Sequence, residues 1–333
     1  MRSKLFLLFA IVTLSAWASP LRVSLPPLLG ALPVALADQL GFFAEEGLSV
    51  QLVPLPSGRD RLLAFQAGQI EALVTDLTSA LLLVVAQPKE AAIAAALFVP
   101  PDDGSHLALL TPANYSRIYS FEDFLSRASA GRVQIAVPRQ SDLEYALDQL
   151  LARHGARVPP EWLVGQDNLL LNATWLLFGM TAVGVLPQPY VDYLLHYEFE
   201  GKPELRVLSD FVGISLPPDV LVVRRSLDGE TVTRFVRAVG RAAARIRAMD
   251  REELVTLAMP LAIALFFPGV NLELASPEDR ARVEAAVDAL RIPHFVDPAP
   301  VDPEILQRVA DWARQKGYLP RPLTYAEAVW SGR

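Results

Sequence analysis

The feature that most constrains this fold is an alternation that begins at Leu21, where short apolar runs take turns with longer stretches of helical periodicity. Leu21–Leu25 reads as a strand, 33–46 as a helix, 49–53 as a strand and 60–66 as a helix. Strand, helix, strand, helix predicts an α/β chain whose mainly parallel sheet is covered on both faces. Gly41 interrupts the first helical pattern and Gly47 ends it, where a left-handed cap suits glycine. Val50 and Leu52 followed by Pro54 then read as a strand and its exit.

Length turns that pattern into two bodies. The first 18 residues carry Arg2 and Lys4, an apolar run from Leu5 to Leu14, and Ala16-Trp17-Ala18 before Ser19-Pro20, the layout of a cleavable secretory leader. Pro20 and Arg22 close the run before it reaches the roughly 20 apolar residues of a spanning helix. Removing 18 of 333 residues leaves 315, beyond the size at which one hydrophobic core stops growing, so two lobes are expected. Cysteine is absent, which excludes disulfides, thiolate metal sites and a lipid-anchored mature N-terminus. A periplasmic location for a freely diffusing protein is the expectation. The net charge of −7 becomes two units more negative without Arg2 and Lys4, which argues against nucleic acid or anionic lipid as partners.

Two stretches, 64–76 and 175–188, share a layout: a helix stops at glycine, a short apolar strand follows, and a polar or Pro-containing turn starts another helix. Ligands of open α/β sheets sit outside the carboxyl ends of strands, so both turns should face a crevice. Residues 100–105 form a turn-rich interruption, 106–111 a strand leading to Pro112, and 132–137 the first strand of a second sheet. Ser120 opens a helix with Asp123 three residues on, and Ser141 with Glu144, a capping-box spacing. The strand 220–223 follows a turn at 213–218, and the C-terminal third reads as helices over 231–249, 251–267, 276–290 and 302–316. Crossovers are thus expected near 112–117 and 210–217, giving a leader 1–18, a discontinuous lobe 1 of 19–112 and 216–333, and a lobe 2 of 113–215. The stripe Arg234, Arg237, Arg241, Arg245 and Arg247 lies opposite apolar residues at helical spacing and reads as the solvated side of an amphipathic helix.

The stretch 32–50, with its core Gly41-Phe42-Phe43, then Gly47-Leu48 and Val50, resembles the opening of the ABC-importer binding proteins for taurine, aliphatic sulfonates, nitrate and thiamine-pyrimidine precursors. Pro56-Ser57-Gly58, 67–72 and Thr75-Asp76 resemble the same family's next blocks, and 120–124, 133–141 and the Gly179 stretch resemble its second lobe. Thr181 stands at that family's usual acidic position, and Gln140 where a glycine often precedes the loop serine. The resemblance implies a two-lobed periplasmic-binding-protein architecture of type II, with a ligand cleft between the lobes.

It also implies the cleft residues. Gly30 and Ala31 would follow the first strand, Ser57 and Gly58 the second, and Thr75, Asp76 and Thr78 the third; Arg139, Gln140, Ser141, Gln188 and Tyr190 would stand opposite. Loop ends and helix N-termini offer free N–H groups and short polar side chains. Each position has a plainer reading beside this one: Ser57-Gly58 as an ordinary turn, Asp76 as the cap of the helix at Leu77, Arg139 as a surface partner of Asp142, and Tyr190 as core. Ser141 with Glu144 would occupy N–H groups that an anion needs. His106, His154, His196 and His294 are scattered, without metal-ligand spacing or a nucleophile elbow. The expectation is a monomeric binding protein, not an enzyme, with no cofactor and no metal, taking a small molecule to the permease subunits of an importer. An enzyme on the same two-lobed fold, or a sensing subunit without transport, is the alternative.

Overall fold

The computed structural model describes residues 19–114, 117–196, 201–266 and 276–331, so the leader expected over 1–18 lies outside the described residues. Among the described residues nine strands form two sheets: β1 (Leu21–Leu25), β2 (Val50–Pro54), β3 (Ala72–Asp76), β4 (Ala91–Phe98), β5 (Leu107–Pro112), β6 (Ile135–Ala136), β7 (Val183–Pro187), β8 (Leu205–Ser209) and β9 (Asp219–Arg224). The first sheet has the order β2-β1-β3-β9-β4 and the second β6-β7-β5-β8. Each builds one lobe.

Only part of the expected parallel pairing is present. β1 pairs with β2 and β3 in parallel, but β9 runs antiparallel to both β3 and β4. In the second sheet β6 and β7 are parallel while β5 is antiparallel to β7 and β8. The reason is topological: β9 returns from the other lobe and inserts between β3 and β4, so it enters against their direction. The predicted lobe boundary also shifts. β5 belongs to the second sheet, so the outward crossing lies between Phe98 and Leu107, at the turn-rich segment, rather than at 112–117. β5 and β6 read alike as short apolar runs, and only their partners distinguish them. The return crossing lies between Ser209 and Asp219. The two crossings touch, with the Gly213 N–H donating to the Asp102 carbonyl at 2.8 Å. Gly104, at φ 81°, packs where a Cβ would lie 2.7 Å from the Val212 methyl.

The single helix expected over 33–46 is two, Leu32–Gln39 and Phe42–Glu45, divided at Gly41 with φ 75°. The amphipathic helix Gly229–Ala248 buries Phe235, Val239 and Ala243 in the first lobe, where Phe43 stacks on Phe235 at 4.7 Å. Its arginine face meets carboxylates, Arg234 with Glu230, Arg237 with Glu46, and Arg241 with Glu45. The C-terminal third does not belong wholly to the first lobe. Val283 and Val287 of the helix Pro277–Asp288 share a core with Tyr190, Val191 and Leu194 of the second.

A buried polar cluster ties the lobes together. Glu144, fully buried on the second-lobe helix Asp142–Arg153, accepts from Tyr318 Oη at 2.8 Å and lies 2.9 Å from Lys316 Nζ. Lys316 also reaches Asp148 at 2.9 Å, beside Trp312 Nε1, which donates to the same carboxylate at 2.9 Å. Tyr145 from that helix enters the core of the first lobe against Trp312. Removing one member of a buried ion pair leaves an uncompensated charge and costs about 3 to 5 kcal/mol. Lys316→Ala should therefore lower the unfolding free energy by about 3 kcal/mol, measured by urea denaturation, whereas the exposed Arg314→Ala should change it by less than about 0.5 kcal/mol.

Candidate functional site

Two helix N-termini meet across the gap between the lobes. The helix Leu77–Ala86 follows β3 directly, and Asp142–Arg153 leaves the loop after β6. Asp76 caps the first, its Oδ1 accepting from Ser79 N at 3.0 Å, and the same oxygen accepts from Asp142 N of the opposite helix at 3.3 Å. Asp142 returns the contact: its carboxylate accepts from Leu77 N and Thr78 N, both at 2.9 Å, and from Thr78 Oγ1 at 2.6 Å. Each lobe thus supplies the anion that the positive end of the other lobe's helix calls for.

Beside this contact lies a cavity of about 460 Å³ with both lobes in its wall. Leu28, Leu62, Leu82, Leu107, Leu169 and Leu216 supply its apolar faces. Its polar lining comprises the acids Asp76, Asp142, Asp167 and Asp219, the cations Arg59, Arg61 and Arg139, and His106, Ser79, Gln140 and Ser141. Asp219 opens β9 directly opposite Asp76 of β3 in an antiparallel register, which puts the two carboxyl groups side by side. Asp219 is only 9% exposed, and among the described residues its carboxyl has no hydrogen-bond or ion-pair partner. Burial and the Asp76 charge push its pKa up to about 7, against the opposing pull of Arg61. Burial and Asp76 likewise push Asp142 well above the ordinary range, although the bonds from Thr78 and Leu77 act in the other direction.

Arg61, 6% exposed, is held by Nη1 on the carbonyls of Leu55 at 2.9 Å and Pro56 at 3.1 Å, while its buried Nε has no partner among the described residues. Burial pulls its pKa down to about 10, with Asp76 and Asp219 countering the fall. His106 packs against Phe98 at 5.2 Å and is pulled down to about 4 by burial, so it is neutral at physiological pH. Among the described residues no group of three or more His, Asp or Glu side chains is arranged to hold a metal ion.

The sequence-derived positions divide into two groups. Gly58, Asp76, Arg139, Gln140 and Ser141 line the cavity. Thr78 lies at its edge, spent on Asp142. Gly30 stands behind the wall: a Cβ there would land on the Asp219 carboxylate and 2.9 Å from Phe98. Ala31 and Thr75 are buried, and Ser57 caps Asp60 N at 3.3 Å. Gln188 is a structural tie rather than an open cleft group, donating to Ser105 O at 3.3 Å and accepting from Asp192 N at 3.2 Å. Tyr190 is 1% exposed in the second-lobe core, with burial raising its pKa. The Ser141 box closes differently from the expected form, because Glu144 accepts from Gln140 N at 2.7 Å, one residue earlier. Gln140 itself has φ 58°, the left-handed geometry that a glycine adopts more easily. Arg139 is exposed and reaches Tyr318 Oη at 3.5 Å instead of pairing with Asp142. Arg61, His106, Asp142 and Asp219 were not among the expected residues. For Asp142 alone a local signal existed, its place at the first position of a capped helix facing the cleft.

This arrangement of two sheets, two touching crossings and an interlobe cavity is the periplasmic-binding-protein fold. The periplasmic aliphatic sulphonate binding protein SsuA from Escherichia coli is similar at a TM-score of 0.68 and 18% identity, over 94% of this chain and 92% of that one. The alkanesulfonate-binding protein SsuA from Xanthomonas axonopodis pv. citri, bound to MOPS, is similar at 0.68 and 19%, over 94% and 99%. The periplasmic nitrate-binding protein NrtA from Synechocystis PCC 6803 is similar at 0.64 and 13%, over 90% and 82%. No family model and no curated protein sequence matches the chain.

The buried acid has a consequence for stability. Between about pH 4 and 7 folded Asp219 keeps a proton that the unfolded chain has lost, so its contribution is full at low pH and disappears as pH rises through about 7. Neutral His106 acts oppositely over about pH 4 to 6.5, since the unfolded chain then binds the extra proton, and the two slopes offset in the wild type. Asp219→Asn should therefore gain on the wild type steadily from pH 4 to 7, by about 1 kcal/mol per pH unit at most. Parallel denaturation curves at several pH values check this, and a constant difference would refute the assignment.

Proposed function

We propose that this chain is the extracytoplasmic substrate-binding component of an ABC-type importer, which captures a small molecule between its lobes and delivers it to the permease. The observation that carries the reading is the cavity itself: its volume fits a small organic molecule, and its walls hold the Asp219 carboxyl and the buried Nε of Arg61, which have no hydrogen-bond partner among the described residues. Such groups cost free energy unless something pairs with them. The similarity to binding proteins for alkanesulfonates and nitrate supports the same role. Export would precede capture, with a mature N-terminus at or near Ser19. The division into two lobes joined by crossings at 99–106 and 210–218 supplies a hinge, and ligand would draw the lobes together.

Protein isolated from its host's periplasm under native conditions should carry a small molecule detectable by native mass spectrometry. Its removal should lower thermal stability, and re-addition at a hundredfold excess over Kd should restore about 2.7 kcal/mol. Solution scattering should show a smaller radius of gyration with the molecule bound. Identical dimensions and stability with and without it would overturn the proposal.

A further inference from the structure

At the start of the helix Leu77–Ala86 one lobe binds a carboxylate of the other as a two-oxygen anion. Asp142 Oδ2 accepts from Leu77 N at 2.9 Å, while Oδ1 accepts from Thr78 N at 2.9 Å and from Thr78 Oγ1 at 2.6 Å. Within its own lobe the helix already has a cap, because Asp76 Oδ1 accepts from Ser79 N at 3.0 Å. The two N–H groups and the hydroxyl left over therefore form a seat for a group that the first lobe does not supply. Asp76 stands close enough to oppose a negative charge there, and the bonds from Thr78 and Leu77 counter it.

Asp142 does not need this contact to start its own helix. Ser141 Oγ accepts from Glu144 N at 3.3 Å, and Glu144, Tyr145 and Asp148 anchor that helix on Tyr318, Lys316 and Trp312. Its side chain stands instead at a boundary: Asp142 lines the cavity beside Asp76 and Ser79, whereas Thr78 is wholly buried and lies outside the lining. Other helix-start N–H groups on the wall, those of Gly58, Arg59 and Leu143, have no acceptor among the described residues. The seat at Leu77 and Thr78 differs from them in being filled from across the gap.

We propose that Asp142 is an internal ligand that sets specificity: its carboxylate fills a seat opening on the cavity and bars that seat to acidic solutes. This rests on the reading of the cavity as the solute site. A solute taken up by the wild type meets Asp142 in place of the three donors, and its polar groups are placed elsewhere on the wall. Truncating Asp142 removes one carboxyl group and leaves the donors facing the vacated space, in a cavity walled by Leu28, Leu62 and Leu82.

The test compares wild type and Asp142→Ala, as full-length mature proteins, by calorimetric titration with formate, butyrate and butan-1-ol at neutral pH and constant ionic strength. Asp142→Ala should bind butyrate about tenfold more tightly than the wild type does, and about tenfold more tightly than it binds formate, since the added carbons lie against the leucines. Butan-1-ol, which lacks the carboxylate, should show no comparable gain. Adding Thr78→Val to Asp142→Ala should remove most of the gain for butyrate, because the hydroxyl donor is lost. Equal butyrate binding by wild type and Asp142→Ala overturns the proposal. A gain for formate without a further gain for butyrate also overturns it, by making Asp142 a cap sealed off from the cavity. If Asp142→Ala is unfolded by itself, its circular dichroism should return in formate and more fully in butyrate, and no return overturns the proposal as well. None of these failures touches the solute-binding reading, which stands or falls on the molecule that the wild type carries.

Discussion

The structure depends on one interaction, the exchange of carboxylates between two helix N-termini. Helix starts carry unpaired N–H groups and a positive end, so two of them pointed at each other would repel and would each remain uncapped. Asp76 and Asp142 remove both difficulties, because each acid lies within reach of the other helix's first turn. The cap of one lobe is therefore a contact with the other. The caps of Ser79 N by Asp76 and of Glu144 N by Ser141 lie within one lobe, whereas the N–H groups of Leu77, Thr78 and Asp142 find their acceptors only across the gap. The Glu144 and Asp148 bonds to Lys316, Tyr318 and Trp312 hold the N-terminal half of the helix Asp142–Arg153 against the first lobe.

The second constraint is register. An antiparallel β9 places Asp219 beside Asp76, and a one-residue slip would turn Asp219 to the other face of the sheet. Neighbouring choices accommodate this pair. Gly30 leaves room for the carboxyl, Phe98 and His106 cover it with rings, and Arg61 stands near enough to oppose its rise in pKa without bonding to it. A buried acid under these conditions exchanges a charge for a proton, which keeps the empty cleft folded at neutral pH.

What the sequence made legible follows from how local each signal is. Periodicity and spacing located β1, β2, β3 and the caps at Asp76, Ser120 and Ser141, since strand alternation and capping are settled within a few residues. It did not place β5 in the second sheet, because an apolar strand carries no mark of its partners. Asp219 looked like a residue after two prolines, and Arg61 like one more charge on a helix face. Their chemistry exists only once the β3–β9 register and the β2 exit loop bring them to the same cavity. Gln188 and Tyr190 were legible as turn and helix-start residues at a strand end. The burial of Gln188 was not, since it depends on the crossing at Ser105, whereas Tyr190 also read as a core aromatic and lies in the core it shares with the helix Pro277–Asp288.

A fold shared with binding proteins for alkanesulfonates and nitrate does not carry their ligand chemistry with it, and the reason can be traced to single positions. A helix N-terminus facing a cleft is an anion site only while its N–H groups are unclaimed. Once an acid from the facing lobe claims them, the same helix contributes a carboxyl to the cavity and its positive end is already answered. In this chain Asp142 claims N–H groups of the facing helix, and Asp219 stands beside Asp76 in the same cavity wall. The scaffold fixes where a ligand is enclosed, whereas the side chains that opposing elements bring to the cavity decide which groups are left to meet it.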